Sequence, residues 1–560
     1  MFRFTGIIVV GLLSFSCLAQ DNEHPEDSSC KPFEQGREKV ASAKQTRFDF
    51  DFFKNLEGKK IRHIQFNTIN VFDESDPDEN NRLYRFVNTL HINTKPKVIK
   101  AQLLFKEGEI LVGKKVEESE RILRQRRYLA NAYIVPLTVC DEVVDLLVVT
   151  QDSWSLEPQF SLSKHSEGTK SGFALTDSNI LGSGNAFLVG YEQNSQRNLI
   201  RYEFSNPHLF NSQIDTKLYY ADTSDGQNTI VDISHPFYSL ITPWSTGIYS
   251  EDYTQDDVIR NQDTQINSYE HQSIKKTAFY GWASEVNNNF TRRWLVGLSQ
   301  EEDIFFANPD TLQDIPSERK AVYPWIEFQY LENRFGVYKN VNQIQRPEDI
   351  GLGNNFILRL GYAGRNFDNP DDVVRYLGFY EYTVDISEKG IVETTLSYDG
   401  KHHTTKAYDD SGVVGLTGAY HYFQNEKNRW YFGFQYHLGQ QLAQYEELTL
   451  GDITGMRGFP ADFQRGNKRY SITIERRYFT DMHIFNLTRV GAVAFFDAGK
   501  AWGVEAYGKS TLLSSAGIGL RFSPTKVRVG NVIHIDFSVP TSSRFGADKY
   551  QISVGAYDKF

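Results

Sequence analysis

The C-terminal part of this chain, from about residue 155 onward, consists of short segments in which apolar and polar residues alternate. Clusters of Gly, Asn, Asp and Pro separate these segments. Near the C-terminus, for example, Ile533, Ile535 and Phe537 alternate with His534 and Asp536. Successive side chains of a strand point to opposite faces, so the pattern suits strands between lipid and a polar lumen. A soluble sandwich would alternate in the same way, but it rarely uses so many strands in succession.

The number of alternating segments favours an all-β transmembrane barrel. The region has about 405 residues, and roughly 25 residues per strand and connection predict about 16 antiparallel strands, an even number typical of bacterial barrels. Aromatic residues make up 14% of the chain, which suits the aromatic girdles of such barrels. Beyond the N-terminus no apolar run reaches the roughly 18 residues of a transmembrane helix. Asp252–Gln272 and Phe305–Lys320 are polar, and we expect both to be long surface loops.

Charge and motif content limit the possible functions. The formal net charge of -11 argues against a nucleic-acid partner, because nucleic-acid binding proteins usually carry a basic patch. The sequence contains no Gly-x-Ser-x-Gly elbow, no His-Glu-x-x-His motif and no phosphate-binding loop. We therefore predict no catalytic site, no metal site and no cofactor.

Residues 1–19 have the features of a secretory signal peptide. Arg3 supplies a positive charge, the following apolar run is too short to span a bilayer, and small residues lead up to Ala19. Lipid attachment at Cys17 is the alternative, although the residues before it suit that motif poorly. Residues 20–58 are polar without a strong period, and we expect an N-terminal extension or linker there.

Two cysteines, Cys30 and Cys140, remain after cleavage. An exported protein meets an oxidising compartment, where such a pair can close a disulfide. Two unpaired thiols are an equal alternative, and neither cysteine has another Cys or a His at metal-binding spacing.

Residues 59–151 have a different character and predict a small α+β domain. The alternation in Ile61–Phe66 predicts a strand. Apolar spacing at 96–105 predicts an amphipathic helix, and 116–129 predicts a second helix with acids in its first turn and bases in its last. Two strands, Ala132–Val139 and Val143–Val149, complete the order strand, helix, helix, strand, strand.

Several motifs occur in a fixed order in the barrel region, which we assign to 152–560. The segment Gly451-Asp-Ile-Thr-Gly-Met-Arg-Gly-Phe-Pro is followed by Ser471-Ile-Thr-Ile-Glu-Arg-Arg-Tyr and then by Ala494-Phe-Phe-Asp-Ala-Gly-Lys-Ala-Trp. In this order the motifs resemble the BamA/TamA family of outer-membrane barrels with POTRA domains, which includes the two-partner secretion transporters. The segment 59–151 resembles one POTRA domain. The resemblance implies a location in the bacterial outer membrane, with the POTRA domain in the periplasm.

The resemblance also implies roles for particular residues. Arg457, Gly458 and Phe459 match the tip of a surface loop that folds back into the lumen. Glu475 and Asp497 match the carboxylates that hold this loop, a role that suits the bidentate geometry of a guanidinium. Alternatively, Arg457, Glu475 and Asp497 do not anchor the loop and are hydrated charges in the lumen, where each ion pair contributes about 0–1 kcal/mol.

Three further positions carry part of the resemblance. Phe495 and Gly499 belong with Asp497 to a Phe-x-Asp-x-Gly strand signature. The period of this strand is ambiguous, because the apolar residues Val493 and Phe495 would lie on the same face as the Asp497 carboxylate. Phe560, the last residue, matches the C-terminal signal by which outer-membrane barrels are recognised for insertion.

The implied function is translocation or assembly of proteins at the outer membrane rather than enzymatic catalysis. The expected partners are outer-membrane lipids, client polypeptides of unknown identity and the barrel assembly machinery that inserts the chain itself. A passive or gated pore and a lipid transporter are the alternatives.

Overall fold

The computed structural model describes most of the chain beyond its N-terminal segment. The predicted signal peptide, with Cys17, and most of 20–58 lie outside the described residues. These are 30–33, 53, 55–77, 79–165, 168–194, 196–261, 264–287, 289–367, 369, 371–387, 389–404, 410–507, 509–527, 532–541, 547–557 and 560.

An α+β domain, here called the N-terminal domain, comprises the described residues between Phe53 and Ser153, and the preceding segment at 30–33 adds one short strand to its sheet. Its strands are β1 Lys31–Pro32, β2 Lys60–Ile69, β3 Leu129–Val139 and β4 Val143–Asp152, and its helices are α1 Arg82–Leu90, α2 Pro96–Lys100 and α3 Gly113–Arg124. The sheet order is β1-β3-β4-β2, with β2 parallel to β4. The sequence analysis missed α1, which begins where the Asn81 side chain accepts a hydrogen bond from the amide of Tyr84.

A disulfide joins Cys30 to Cys140 across 110 residues of sequence. The bond holds β1 beside the end of β3, where Lys31 pairs with Val139. It therefore ties the segment before the N-terminal domain to the edge of the domain's sheet.

The remaining strands close into an antiparallel barrel. They are β5 Leu156–His165, β6 Gly168–Asp177, β7 Ala186–Gln193, β8 Asn198–Asn206, β9 Asp215–Thr223, β10 Gly226–His235, β11 Trp244–Asn261, β12 Thr264–Val286, β13 Phe290–Phe306, β14 Arg319–Glu332, β15 Arg334–Lys339, β16 Pro347–Ala363, β17 Val373–Asp385, β18 Gly390–His403, β19 Ser411–Phe423, β20 Asn428–Gln440, β23 Lys468–Ile484, β24 Thr488–Trp502, β25 Leu513–Pro524, β26 Val532–Pro540 and β27 Gln551–Tyr557. Two short strands, β21 Leu448–Leu450 and β22 Gln464–Gly466, pair separately. Short 3-10 turns occupy Ile180–Gly182, Leu209–Asn211, Arg365–Phe367, Gln444–Glu446, Asp452–Thr454 and Glu505–Tyr507.

The barrel has 20 strands within the described residues, so the prediction of about 16 is wrong. β14 and β15 count as one strand, because both pair with β16 and only Asn333 separates them. The estimate failed because it assumed long connections. Only Ser224 and Asp225 separate β9 from β10, for example, so more strands fit into the same length.

The expectation of a long surface loop at Asp252–Gln272 is also wrong. Most of this segment is paired, because Asp252 faces Ile274 in the β11–β12 register and the pairing continues to Asn261 and Thr264. Polar residues on both faces hid the strand period, because several of them, such as Asn267 and His271, are buried against other loops rather than exposed to solvent. The segment Phe305–Lys320 does contain the β13–β14 connection.

The outer surface of the barrel is apolar and its inner surface is polar. In β26 the side chains of Ile535 and Phe537 are 38% and 42% exposed, whereas Asp536 and Ser538 are buried. The predicted alternation is therefore present. A closed barrel with an apolar outer surface suits a bacterial outer membrane, because closure pairs the strand edges with one another. None of the described helices is both long and apolar enough to span a membrane.

The N-terminal domain covers one end of the barrel, which we call the proximal end. Its residues form hydrogen bonds with the turns that connect successive strands at this end. These are the β6–β7, β8–β9, β10–β11, β12–β13, β15–β16, β23–β24 and β25–β26 turns. The amide of Lys95 donates to Gly182 O at 3.0 Å, and Lys526 Nζ lies 2.6 Å from Glu79 Oε1. The domain thus extends across the proximal mouth.

Candidate functional site

A long connection between β20 and β23 folds into the barrel. We call residues 441–467 the lumen loop. Its two arms pair as β21 and β22, with Leu450 opposite Gln464. The tip turns back on itself, since the amide of Met456 donates to Gly451 O at 2.9 Å. The short ladder and the tight turn give the tip a defined shape.

Apolar side chains hold the tip against the inner wall. Phe459 and Phe463 have ring centroids 5.2 Å apart, and both side chains are almost fully buried. They form one apolar cluster with four other buried residues, namely Leu450, Met456, Ala501 and Leu513. Full burial of such a side chain contributes about 1.5–3 kcal/mol, so this cluster strongly disfavours displacement of the loop.

Arg457 connects the loop tip to two strands of the wall. Its Nε and Nη2 atoms donate to Asp497 Oδ2 and Oδ1, each at 2.8 Å. Its Nη1 atom donates to Glu475 Oε1, also at 2.8 Å. The structure therefore places the three predicted residues together, in the bidentate geometry that gives strong charge-assisted bonds. Asp497 is fully buried and Glu475 nearly so.

The strand signature lies under the same guanidinium. The Arg457 Cζ atom is 3.6 Å from the centroid of the Phe495 ring, a favourable cation–π distance. Val493, Phe495 and Asp497 are all buried on the inner face of β24. Because apolar Val493 and Phe495 share a face with Asp497, the alternation of apolar and polar residues in this strand was ambiguous. This shared face is the part of the inner wall on which Arg457 packs.

Two glycines allow the close approach of loop and wall. Gly458 has φ +93°, a left-handed conformation that side chains disfavour. A Cβ atom on Gly499 would lie 2.7 Å from Tyr470 O and 3.1 Å from Met456 Sδ. Side chains at these two positions would therefore strain the tip or push it from β24.

The sequence analysis missed two residues that complete the cluster. Arg477 Nε donates to Glu475 Oε2 at 2.7 Å, and Thr473 Oγ1 donates to Asp497 Oδ1 at 2.9 Å. The cluster therefore holds two guanidinium groups and two carboxylates, which compensate one another inside a poorly hydrated wall. The positions of Thr473 and Arg477, two residues on either side of Glu475, were the available signal, because alternate residues share a face.

A second buried ion pair and the C-terminal residue lie close by. Arg521 Nη1 donates to Asp536 Oδ1 at 2.6 Å, and both side chains are buried. The Phe560 ring is also buried, 4.6 Å from the ring of Phe479, and its amide donates to Asn342 O at 2.8 Å. The last residue therefore lies inside the proximal end of the lumen, and its predicted role as an insertion signal stays a prediction.

The barrel closes at a short seam. Strands β27 and β5 pair at two positions, Ser553 with Ser163 and Val554 with Leu162. By comparison, β26 and β27 pair at seven positions and β5 and β6 at ten. Among the described strands, the seam is therefore the shortest ladder of the closed barrel.

The groups of this site bind the chain's own lumen loop. In the parts of the chain that the structure describes, no group of three or more His, Cys, Asp or Glu residues could hold a metal ion. The fold and site thus define an outer-membrane β-barrel whose lumen is occupied by a clamped loop.

Comparison with known proteins concerns the fold. No protein-family model and no curated protein matches the sequence. Solved structures with similar folds include CdiB from Acinetobacter baumannii, with a TM-score of 0.46, 10% identity, and coverage of 89% of this chain and 74% of that chain. CdiB from Escherichia coli has a TM-score of 0.46, 12% identity, and coverage of 90% and 77%. BamA from Haemophilus ducreyi lacking POTRA domains 1-3 has a TM-score of 0.38, 13% identity, and coverage of 89% and 84%.

Proposed function

We propose that this protein moves or inserts polypeptides at the outer membrane, with the N-terminal domain acting as a single POTRA domain in the periplasm. The observation that carries the proposal is the clamp of Arg457 between Asp497 and Glu475. These are the residues to which the motif resemblance assigns the anchoring of a lumen loop.

The N-terminal domain supplies a strand edge for an extended client. In the order β1-β3-β4-β2, strand β2 lies at one edge of the sheet. The first half of this edge is already covered, because Ile61 exchanges backbone bonds with Gly108 and Glu109 and the amide of Ile64 donates to Glu107, so a client would pair with the second half, up to Ile69. An extended segment can add to such an edge by main-chain hydrogen bonds, with little demand on its sequence. The domain covers the proximal mouth, so a client held there lies next to the barrel wall.

The seam is the part of the wall that opens at the lowest cost. Each net backbone hydrogen bond contributes about 0.5–1.5 kcal/mol, and the β27–β5 ladder has two paired positions. Separating β26 from β27 breaks a ladder of seven positions. We therefore infer that a client strand enters the membrane between β27 and β5 while the clamped loop keeps the lumen closed.

A cysteine lock tests this route. Leu162 and Val554 face each other across the seam, so Leu162→Cys with Val554→Cys would tie β5 to β27. Tyr202→Cys with Tyr220→Cys is the matched control, because this pair faces across the β8–β9 ladder and both side chains are exposed. Each version is expressed in a strain that lacks the native chain, and the outer-membrane and secreted proteins are quantified with and without reductant.

We expect the locked seam to deplete one or a few surface or secreted proteins and reductant to restore them. The control lock should leave the same proteins at wild-type levels. Normal client levels with the seam fully crosslinked would contradict the lateral route.

A further inference from the structure

Helix α1 has three distinct faces. Tyr84 and Asn88 are buried against the N-terminal domain. Leu83, Phe86 and Leu90, spaced three and four residues apart, form a second face and are 61%, 59% and 59% exposed. Three large apolar side chains on one short helix are therefore left uncovered by the residues that the structure describes.

The third face of α1 is polar and basic. Arg82, Arg85 and Thr89 lie on it and are exposed. The helix contains no acidic residue. An apolar face flanked by a basic face is the arrangement of helices that lie in a membrane interface, where basic groups meet anionic headgroups.

The helix lies below the seam between β27 and β5. On one side, the Tyr84 hydroxyl donates to Phe485 O in the β23–β24 turn. On the other side, Lys95 reaches the β6–β7 turn through Gly182 O. The helix and the segment after it therefore bridge the turns on either side of the seam.

The apolar face of α1 continues the lipid-facing surface of the barrel. Phe485 and Leu181, in the two turns that flank α1, are 80% and 63% exposed. Both have positive φ, of 49° and 51°, a conformation that large side chains rarely adopt. Ile92, just beyond the helix, is 51% exposed. Exposed apolar side chains thus extend from the strand ends onto the N-terminal domain.

We propose that α1 is a membrane-contact helix, with Leu83, Phe86 and Leu90 inserted into the proximal leaflet of the outer membrane. The partner is a phospholipid surface, because the uncovered face continues the barrel's lipid-facing belt and is flanked by basic residues. Contiguous exposed apolar surface on a folded domain marks a contact site. The membrane then fixes the N-terminal domain across the proximal end of the seam, independently of which client the barrel handles.

Site-directed spin labelling of the full chain in phospholipid nanodiscs tests the proposal. Cys17 is replaced by Ser, and the disulfide between Cys30 and Cys140 leaves an introduced cysteine open to selective labelling. Labels are placed at Phe86→Cys and Leu90→Cys, and the matched control is Arg85→Cys on the polar face of the same helix. Ile518→Cys, 64% exposed on β25, provides the lipid-facing reference. The readout is the ratio of collision rates with oxygen and with a water-soluble nickel chelate.

We expect the ratio of oxygen to nickel-chelate collisions at positions 86 and 90 to lie between that of position 85 and that of the β25 reference, as for an interfacial helix, and position 85 to favour the nickel chelate. Labels at 86 and 90 that favour the nickel chelate would overturn the proposal, because the face would then meet water. Immobilised labels that neither reagent reaches would also overturn it and would indicate that a protein covers the face.

Discussion

Replacing Arg457 with Ala tests the clamp quantitatively. The substitution leaves Asp497 and Glu475 without their shared guanidinium in a buried wall. Breaking a buried ion pair by removal of one partner costs about 3–5 kcal/mol. Arg477 still bonds Glu475 and Thr473 still bonds Asp497, so we expect a loss near the lower limit, about 3 kcal/mol.

Amide hydrogen exchange measures this loss where it occurs. Opening of the lumen loop exposes the amide of Met456, which is bonded to Gly451 O in the closed tip. A loss of about 3 kcal/mol corresponds to roughly 100-fold faster exchange, since each 1.4 kcal/mol is tenfold. We expect this acceleration in the tip and unchanged exchange in the strands far from it.

Arg359→Ala is the matched control. Arg359 Nη2 lies 2.7 Å from Glu327 Oε2 and the guanidinium lies 4.0 Å from the Trp325 ring centroid, so it repeats the chemistry of the clamp elsewhere on the wall. It should leave exchange in the lumen loop unchanged. Acceleration of less than tenfold in Arg457→Ala, or equal acceleration in both variants, would refute the assignment of the clamp.

Further predictions concern conductance, the disulfide and pH. In planar bilayers, Arg457→Ala should open larger or more frequent single-channel currents than wild type or Arg359→Ala, and equal conductance would show that the loop does not close the lumen. Cys30→Ser with Cys140→Ser should lower the free energy of unfolding of the N-terminal domain by about 2–5 kcal/mol, measured by urea titration of oxidised wild type against the variant. Burial lowers the pKa of His208 in the β8–β9 turn from 6.5, so folding favours its neutral form. The stability that the neutral ring contributes is present above pH 6.5 and decreases as the pH falls from there towards the lowered value. Exchange protection of the turn, corrected for intrinsic rates, should fall from pH 7 to pH 5, and an identical fall in His208→Gln would contradict this.

The alternation of side chains made part of the site predictable. Glu475 and Arg477 share a face because alternate residues of a strand do, and the same rule places Phe495 beside Asp497. The pairing between strands was not predictable, since a slip of two residues keeps every side chain on its face. Thr473, not Glu475, faces Asp497 in the register, and the long Arg457 side chain reaches both carboxylates.

Other features depend on contacts that no local pattern encodes. Helix α1 was not predictable from its pattern because Leu83, Phe86 and Leu90 face outward, whereas the apolar face of an amphipathic helix in a globular domain normally packs on the core. The inward position of Phe560 was missed for a related reason. Its ring packs on Phe479 from another strand, and only the closed barrel brings the two together.

The central claim is that the chain handles polypeptides, and its most direct test is the proteome of a clean deletion strain. The outer-membrane and secreted proteins of this strain are quantified against the parent and against strains that express wild type, Arg457→Ala or Arg359→Ala. The account predicts loss of one or a few surface or secreted proteins, restored by wild type and Arg359→Ala but not by Arg457→Ala. An unchanged proteome in the deletion strain would contradict it.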